Sequence, residues 1–345
     1  MLLVKELNNA EKNLSWSNLA NSGLINMIAS YNLAKVLTCL YKLGLIKMLI
    51  ADETISLNEY NDYDPYLLRH LCRYLAIHGL LIMDENGNYK LSGKGQSLFS
   101  DESIAHLCFY SEAYDCVTSN IHKMLSGEST YGREILRDGK SLGIHCDTLF
   151  KKYHSATVLE AMDDLKCDVV LDIGCGGGQF LIDVCKARPN LRGIGIDISE
   201  PAISYAKQNA SNACLKDRLE FWVADAFDID AWPEECFFAD LLCATGVVHE
   251  HFRDGEDAVI EILNSYADLL SKNFKAFILG EPELRYDLVN SDVDLYLVHI
   301  FTAQGFPHHR EEWLQLFYRT RLKCDRIYTR PGAGPRFNFF VLTLK

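Results

Sequence analysis

The sequence predicts an α/β fold, in which a helical N-terminal region precedes a parallel sheet flanked by helices. Two observations in the second half predict the sheet. An apolar run over 169–173 enters a glycine-dense turn over 174–178 before a helical pattern, and three more apolar runs follow at the spacing of βα units. A third observation predicts the helical region: apolar residues recur every three or four positions over 17–50, and a hairpin pattern follows.

The composition and charge limit the kinds of partner that we expect for this protein. The chain of 345 residues is long enough for two domains, and its 34 basic and 47 acidic residues give a net charge of −13. Nucleic acids and anionic membranes attract basic surfaces, so the charge argues against both as partners. No apolar run reaches membrane-spanning length, and no targeting signal stands out. The twelve cysteines contain no CxxC pair, which favours reduced thiols in the cytoplasm.

The helical and hairpin patterns over residues 1–110 predict a winged-helix domain. Asp64 and Pro65 open a helix, with the acid as N-cap and the proline at the first helical position. Asn86-Gly87 between two extended runs predicts the hairpin that forms the wing. A winged helix often binds DNA, but the helix that Pro65 opens carries only two arginines in an acidic chain. We therefore favour a dimerisation domain, with DNA binding as the alternative.

Residues 111–165 predict a helical linker that lies over the ligand site and contains a polar break. Arg133 in this break is a candidate for binding the carboxylate of a cofactor or substrate, since arginine pairs bidentately with carboxylates. A surface salt bridge is the alternative, and for Arg137 we favour that alternative.

Residues 166–345 predict the ligand-binding domain, because acidic residues mark the ends of its apolar runs. Asp172 precedes the glycine turn, Asp197 ends the next run, and Asp225 ends the third. The carboxyl ends of parallel strands share one edge of a sheet, where an acid about twenty residues beyond the glycines binds a ribose diol. The glycines are not followed by Gly-Lys-Ser/Thr, which excludes a phosphate-binding P-loop.

The glycine turn and the three acids together resemble the class I S-adenosylmethionine-dependent methyltransferases, over roughly residues 165–280. The resemblance implies a Rossmann-like domain that binds S-adenosylmethionine. It implies that Gly174 and Gly176, beside Asp172, lie against the methionine moiety, and that Asp197 binds the ribose. It assigns the remaining contacts of the adenosine to Ile198, Asp225, Ala226 and Phe227. The alternatives are a nicotinamide-binding Rossmann domain and a glycine turn used only for packing.

His249 follows the fourth apolar run, within a segment over 247–254 that resembles the one carrying the acid/base histidine of small-molecule O-methyltransferases. A neutral imidazole there could take a proton from a hydroxyl during methyl transfer. Glu250 is a candidate for orienting a ligand or accepting a proton. The order of helices, winged hairpin and methyltransferase domain resembles the same superfamily, which dimerises through its N-terminal region, so the resemblance implies a homodimer.

His299 lies in a helical pattern over 294–302, where O-methyltransferases generally have no histidine. With His249 it resembles the α-keto acid C-methyltransferases, in which two histidines hold a metal that chelates the keto acid. The resemblance implies an iron or zinc ion at His249 and His299, which would polarise the keto oxygen and favour attack by the β-carbon on the sulfonium methyl. The alternative is a core histidine with one hydrogen bond.

A substrate that carries a guanidinium, such as 2-ketoarginine, would also need acidic residues nearby. The candidates are Glu281, Glu283, Asp292 and Asp294.

These inferences lead us to expect C-methylation of the β-carbon of an amino-acid-derived α-keto acid, with S-adenosylmethionine as methyl donor and a two-histidine metal site. Two alternatives stay open. One is a metal-free small-molecule O-methyltransferase with His249 as general base. The other is a winged-helix regulator that binds DNA and senses S-adenosylmethionine without turning it over.

Overall fold

The computed structural model describes residues 5, 8–51, 54–56, 62–285, 293–306, 308–330, 332 and 336–345. The chain divides into two compact units, Met1–Leu107 and Cys108–Lys345. Among the described residues, no single helix is long and apolar enough to cross a membrane. The first two helices together, bent by 49°, pass that test of length and composition.

In the first unit, helices precede a two-stranded antiparallel hairpin. The elements are α1 (Ala10–Asn21), α2 (Leu24–Lys42), α3 (Leu45–Ile50), α4 (Pro65–Ile77), β1 (Leu81–Met83), β2 (Tyr89–Leu91) and α5 (Gly93–Leu98). The Asp64 carboxylate accepts hydrogen bonds from the N–H groups of Tyr66 and Leu67 at 2.8 and 3.0 Å, so the predicted N-cap is confirmed. The predicted hairpin is also confirmed.

The helix predicted to begin near residue 17 begins instead at Ala10. The Asn9 side chain caps it by accepting a hydrogen bond from the N–H of Lys12. None of the residues of α1 is buried, so the helix has no buried stripe that an apolar period could reveal.

A helical segment separates the hairpin from the sheet. It comprises α6 (Asp101–Cys108), a π-helix (Phe109–Ala113), α7 (Asp115–Ser119), α8 (Ile121–Leu125), α9 (Gly139–Tyr153) and α10 (Ser155–Asp163). The predicted helices and the polar break before α9 are confirmed, whereas the π-helix was not predicted. Such one-turn insertions depend on tertiary packing and have no periodic signal of their own.

The second unit contains a seven-stranded mixed sheet. Its strands are β3 (Val169–Ile173), β4 (Arg192–Asp197), β5 (Leu219–Val223), β6 (Leu241–Thr245), β7 (Ala276–Pro282), β8 (Leu322–Thr329) and β9 (Phe337–Leu344). Their order is β5-β4-β3-β6-β7-β9-β8, with β3 to β7 parallel and β9 antiparallel to both neighbours. β8 and β9 form an antiparallel pair at one edge of the sheet.

Helices cover both faces of this sheet, and each face has its own apolar cluster. The helices that follow the glycine turn are α11 (Gln179–Ala187), α12 (Glu200–Asn212), α13 (Glu256–Leu270), α14 (Val293–Phe301) and α15 (Arg310–Arg319). β3 pairs with β4 on one side and β6 on the other, so the strand order reverses there. Open α/β sheets bind ligands at the carboxyl ends of the strands at such a reversal, which locates the site.

Candidate active site

The glycine turn after β3 forms a close-packed cradle. Gly174 has a φ of 69°, and a Cβ there would lie 2.6 Å from a methyl group of Val247, so both conformation and space require glycine. The N–H of Gly176 donates a hydrogen bond to Oδ2 of Asp197 at 3.0 Å. The turn is thus tied to the end of the neighbouring strand, and its backbone is open to close approach by a ligand.

Two carboxylates lie beside this turn. Asp197 is held through both oxygens, since Oδ1 accepts a hydrogen bond from the N–H of Ser199 at 2.8 Å. Burial raises the pKa of Asp197, although its two backbone hydrogen bonds oppose the rise. Asp172 is buried, and burial together with Asp197 raises its pKa well above the usual range. These carboxyl groups can accept hydrogen bonds from hydroxyl groups, and a cationic group bound beside them would favour their ionised forms.

The end of β5 supplies a further set of residues. Oδ1 of Asp225 accepts a hydrogen bond from the N–H of Phe227 at 2.9 Å, and Ala226 is buried. The Phe227 ring lies 4.0 Å from the His251 ring, centroid to centroid. Ile198, at the end of β4, is 73% exposed. These groups offer one carboxylate and apolar surfaces, which suits a planar heterocycle.

One residue of the cradle was not predicted. Asp147, in α9, points at the glycine turn so closely that a side chain at position 177 would overlap its carboxylate. Its Oδ2 is buried and accepts no hydrogen bond from the residues that the structure describes. Burial raises the pKa of Asp147 well above its usual range. No sequence pattern points to Asp147, because a helical period does not show which turn of α9 meets the glycines.

His249 lies in the first turn of a 3₁₀-helix (Val248–Asp254) after β6 and is buried. Its Nδ1 lies 2.7 Å from Oε2 of Glu281, whose Oε1 accepts a hydrogen bond from the N–H of Val248 at 2.9 Å. A carboxylate only accepts, so the imidazole must carry its proton on Nδ1, and Nε2 is the atom available for chemistry. Glu281, considered above for a guanidinium pocket, is instead the partner of His249.

His299 lies in α14 and is also buried. Its Nδ1 lies 2.7 Å from the carbonyl oxygen of Leu295, which fixes the proton on Nδ1 by the same reasoning. The Nε2 atoms of His299 and His249 face each other at 3.4 Å. Burial, followed by the nearby His249, lowers the pKa of His299 to about 4, so its ring is neutral at pH 7.

Arg137 and Glu250 flank the imidazole pair. Nη1 of Arg137 lies 3.4 Å both from Oε1 of Glu250 and from the hydroxyl of Tyr114. Gln304 donates a hydrogen bond to the same Glu250 oxygen at 2.5 Å. Arg137 thus forms an ion pair, as predicted, but within the site rather than on the surface. Burial raises the pKa of Tyr114 to about 12, so its hydroxyl stays protonated.

The structure also describes three further residues that were predicted for the site. Arg133 is exposed in the polar break. Oε2 of Glu283 accepts a hydrogen bond from Asn338 at 2.8 Å, and Asp294 is exposed at the start of α14. Asp292 is outside the described residues.

Known proteins match this fold and sequence. Residues 165–282 match the methyltransferase domain family. "Methyltransferase ungE'" of Aspergillus campestris is 25% identical, over 68% of this chain and 69% of that protein. The mitomycin 7-O-methyltransferase MmcR superposes with a TM-score of 0.67 and 17% identity, covering 96% of this chain and all of that one. Human N-acetylserotonin methyltransferase, solved with S-adenosylmethionine, gives a TM-score of 0.64 and 14% identity, covering 99% of each chain.

The chain is therefore an S-adenosylmethionine-dependent methyltransferase, with the Rossmann-like α/β fold of that class. Over nearly its whole length it has the fold of the solved small-molecule O-methyltransferases.

Proposed function

We propose that S-adenosylmethionine binds at the carboxyl ends of β3, β4 and β5. Two features of the cradle support this fit: Gly174 leaves space that a Cβ would fill, and Oδ2 of Asp147 is buried without a partner among the described residues. Asp147 would accept the methionine ammonium, Asp197 the ribose hydroxyls, and Asp225 the adenine amino group. Bound there, the cofactor supplies an electrophilic methyl group.

We propose further that the methyl acceptor is the β-carbon of an α-keto acid, and one observation carries this choice. Both Nδ1 atoms of the imidazole pair carry protons, so the two rings, whenever both are neutral, direct lone pairs at each other across 3.4 Å. That arrangement is repulsive unless a proton or a cation lies between the rings. With metal–nitrogen bonds of about 2.0–2.1 Å, the edge of a tetrahedral site is about 3.4 Å long. The spacing therefore suits an iron or zinc ion held by His249 and His299.

Such an ion, when bound, polarises a keto oxygen and acidifies the neighbouring C–H group. The protein's own groups bind the substrate, take up the proton and orient the two imidazole rings. Arg137, whose planar guanidinium suits bidentate pairing, binds the keto acid's carboxylate. Glu250 takes the proton from the β-carbon, which bonds to the methyl group as the methyl–sulfur bond breaks. Glu281 and the Leu295 carbonyl hold the two rings in the required tautomer.

The second candidate is O-methylation of a phenol or alcohol. The 2.7 Å contact between His249 and Glu281 favours it, because a histidine oriented by a carboxylate presents Nε2 as a general base. The solved proteins of the same fold include O-methyltransferases. This reaction needs no ion between the rings.

The variant His299→Ala separates the two candidates. If the substrate is a keto acid, the His299→Ala protein should lose the bound metal and all turnover of keto acids. Its binding of S-adenosylmethionine, measured by calorimetry, should be unchanged. The control His154→Gln removes an equally buried imidazole outside the site and keeps both metal and activity. A His299→Ala protein that still methylates a phenol would refute the hypothesis that the substrate is a keto acid.

We also propose that the enzyme works as a homodimer in the cytoplasm, without nucleic acid or membrane as partner. The dimer is supported by large apolar side chains exposed along α1 and α2. They are Leu14, Trp16, Leu19, Leu24, Ile25, Met27, Ile28 and Tyr31. A second copy would bury this surface, which is unusually apolar for solvent contact. Sedimentation of the purified protein tests the proposal: a monomer at micromolar concentration refutes it.

A further inference from the structure

We propose that Cys108, Glu112 and His145 form a second metal site, which binds zinc and is separate from the imidazole pair. Cys108 ends α6, Glu112 lies in the π-helix, and His145 lies in α9. The three side chains each offer one ligand atom, and these atoms all lie within 4.8 Å of one another.

The burial of the cluster supports a cation. Cys108 is fully buried, His145 is 1% exposed, and the Glu112 side chain is 9% exposed. A carboxylate is costly to bury beside apolar groups unless a positive charge compensates it. A divalent ion would compensate the carboxylate and a thiolate together.

The donor set identifies the ion. One thiolate, one imidazole and one carboxylate are ligands that zinc accepts in a tetrahedral site. Bond lengths of about 2.0–2.3 Å separate such ligands by about 3.3–3.6 Å. Nε2 of His145 now lies 2.6 Å from Oε2 of Glu112, at hydrogen-bond distance. Zinc would replace the proton between these atoms and move them apart by less than 1 Å, with water as the fourth ligand.

The zinc site would link the two segments that lead to the proposed substrate-binding groups. The π-helix leads directly into Tyr114, and the polar break that contains Arg137 leads into α9. The two elements already meet where the N–H of Asp138 donates a hydrogen bond to the carbonyl of Ala113 at 2.9 Å. Zinc at His145 would add a second, stronger link between them. The proposal does not depend on which substrate is methylated.

Cobalt substitution tests the site in the full-length protein. A cobalt–thiolate bond gives a charge-transfer band in the near ultraviolet, whereas His249 and His299 offer no sulfur. We expect metal-free protein titrated with Co²⁺ to develop this band. We expect Cys108→Ser to abolish it, and the double variant His249→Ala/His299→Ala to retain it. Cys116→Ser, an exposed cysteine on the following helix, serves as the control and retains it.

A wild-type protein without the band, or a band that survives Cys108→Ser, would overturn the proposal and leave an ordinary histidine–glutamate hydrogen bond. X-ray absorption of the zinc-loaded wild type gives the answer without any variant. We expect a sulfur shell at about 2.3 Å besides nitrogen and oxygen at about 2.0 Å. A spectrum with nitrogen and oxygen alone would also overturn the site.

Discussion

The proposed active site has two halves, one for the cofactor and one for the substrate, that are built in different ways. The cofactor half, around Asp197 and Asp225, uses residues at the ends of adjacent parallel strands, and their positions follow from the strand order. The substrate half, around His249, His299 and Arg137, takes its groups from a turn, from α14 and from the break before α9. Local backbone geometry specifies the first half, whereas tertiary packing specifies the second. The two halves should therefore respond differently to mutation.

The largest effect is expected in the substrate half. His249→Ala removes both the proposed metal ligand and the alternative general base. We expect kcat to fall by at least about 10²–10⁴-fold, the usual range for losing a positioned acid or base, because the proposed ion is lost as well. The dissociation constant of S-adenosylmethionine should stay within about twofold, since the cofactor contacts are elsewhere. Steady-state kinetics and calorimetry measure the two quantities. If the variant lost cofactor binding instead, the two halves would not be functionally separate.

Asp197→Ala is the corresponding change in the cofactor half. It removes the carboxylate that ties Gly176 to the strand end and that would bind the ribose. Losing hydrogen bonds to a charged group costs about 1.5–3 kcal/mol, so affinity for S-adenosylmethionine should fall by about 10- to 150-fold. Saturating cofactor should largely restore kcat. If kcat remained low at saturation, Asp197 would act on the reaction itself.

Glu281→Gln tests whether the substrate half depends on orientation. The amide keeps the size of the side chain but can present a donor to Nδ1 of His249, which favours the wrong tautomer. We expect kcat to fall by about 10- to 100-fold, with a changed pH profile and an unchanged affinity for the cofactor. A purely structural role would lower the melting temperature and leave the pH profile as it was.

His154→Gln tests a buried imidazole outside both halves. Burial lowers the pKa of His154 to about 4, against about 6.5 in the unfolded chain. Between these values the unfolded state binds the extra proton, so the group lowers the free energy of unfolding as pH falls from 6.5 towards 4. At pH 5 the cost is about 2 kcal/mol. Because His299 titrates in both proteins, urea unfolding at pH 7 and pH 5 should show a loss of stability about 2 kcal/mol larger in the wild type than in the variant. Equal losses in both would contradict the assignment.

The same division explains how far the sequence could predict the structure. The positions of Asp172, Asp197 and Asp225 within two residues of a strand end, and the cap at Asp64, were predictable, because each depends on a few neighbouring residues. The face-to-face approach of His249 and His299 could be inferred only from a family resemblance, since fifty residues separate them.

Other features had no local signal at all. The roles of Glu281 and Asp147 depend on which side chains meet across elements, and burial in the folded chain decides this. For the same reason Arg137, rather than Arg133, lies beside Glu250.

In the proposed reaction, the methyl group goes to carbon at an ion held by two imidazoles. Nuclear magnetic resonance of the product made from S-adenosylmethionine with a ¹³C-labelled methyl group tests it directly. Protein reconstituted with iron or zinc should place the label on the β-carbon of a keto acid, and protein treated with a chelator should form no product. An oxygen-bound methyl signal from a phenol, formed equally well after chelation, would contradict the account.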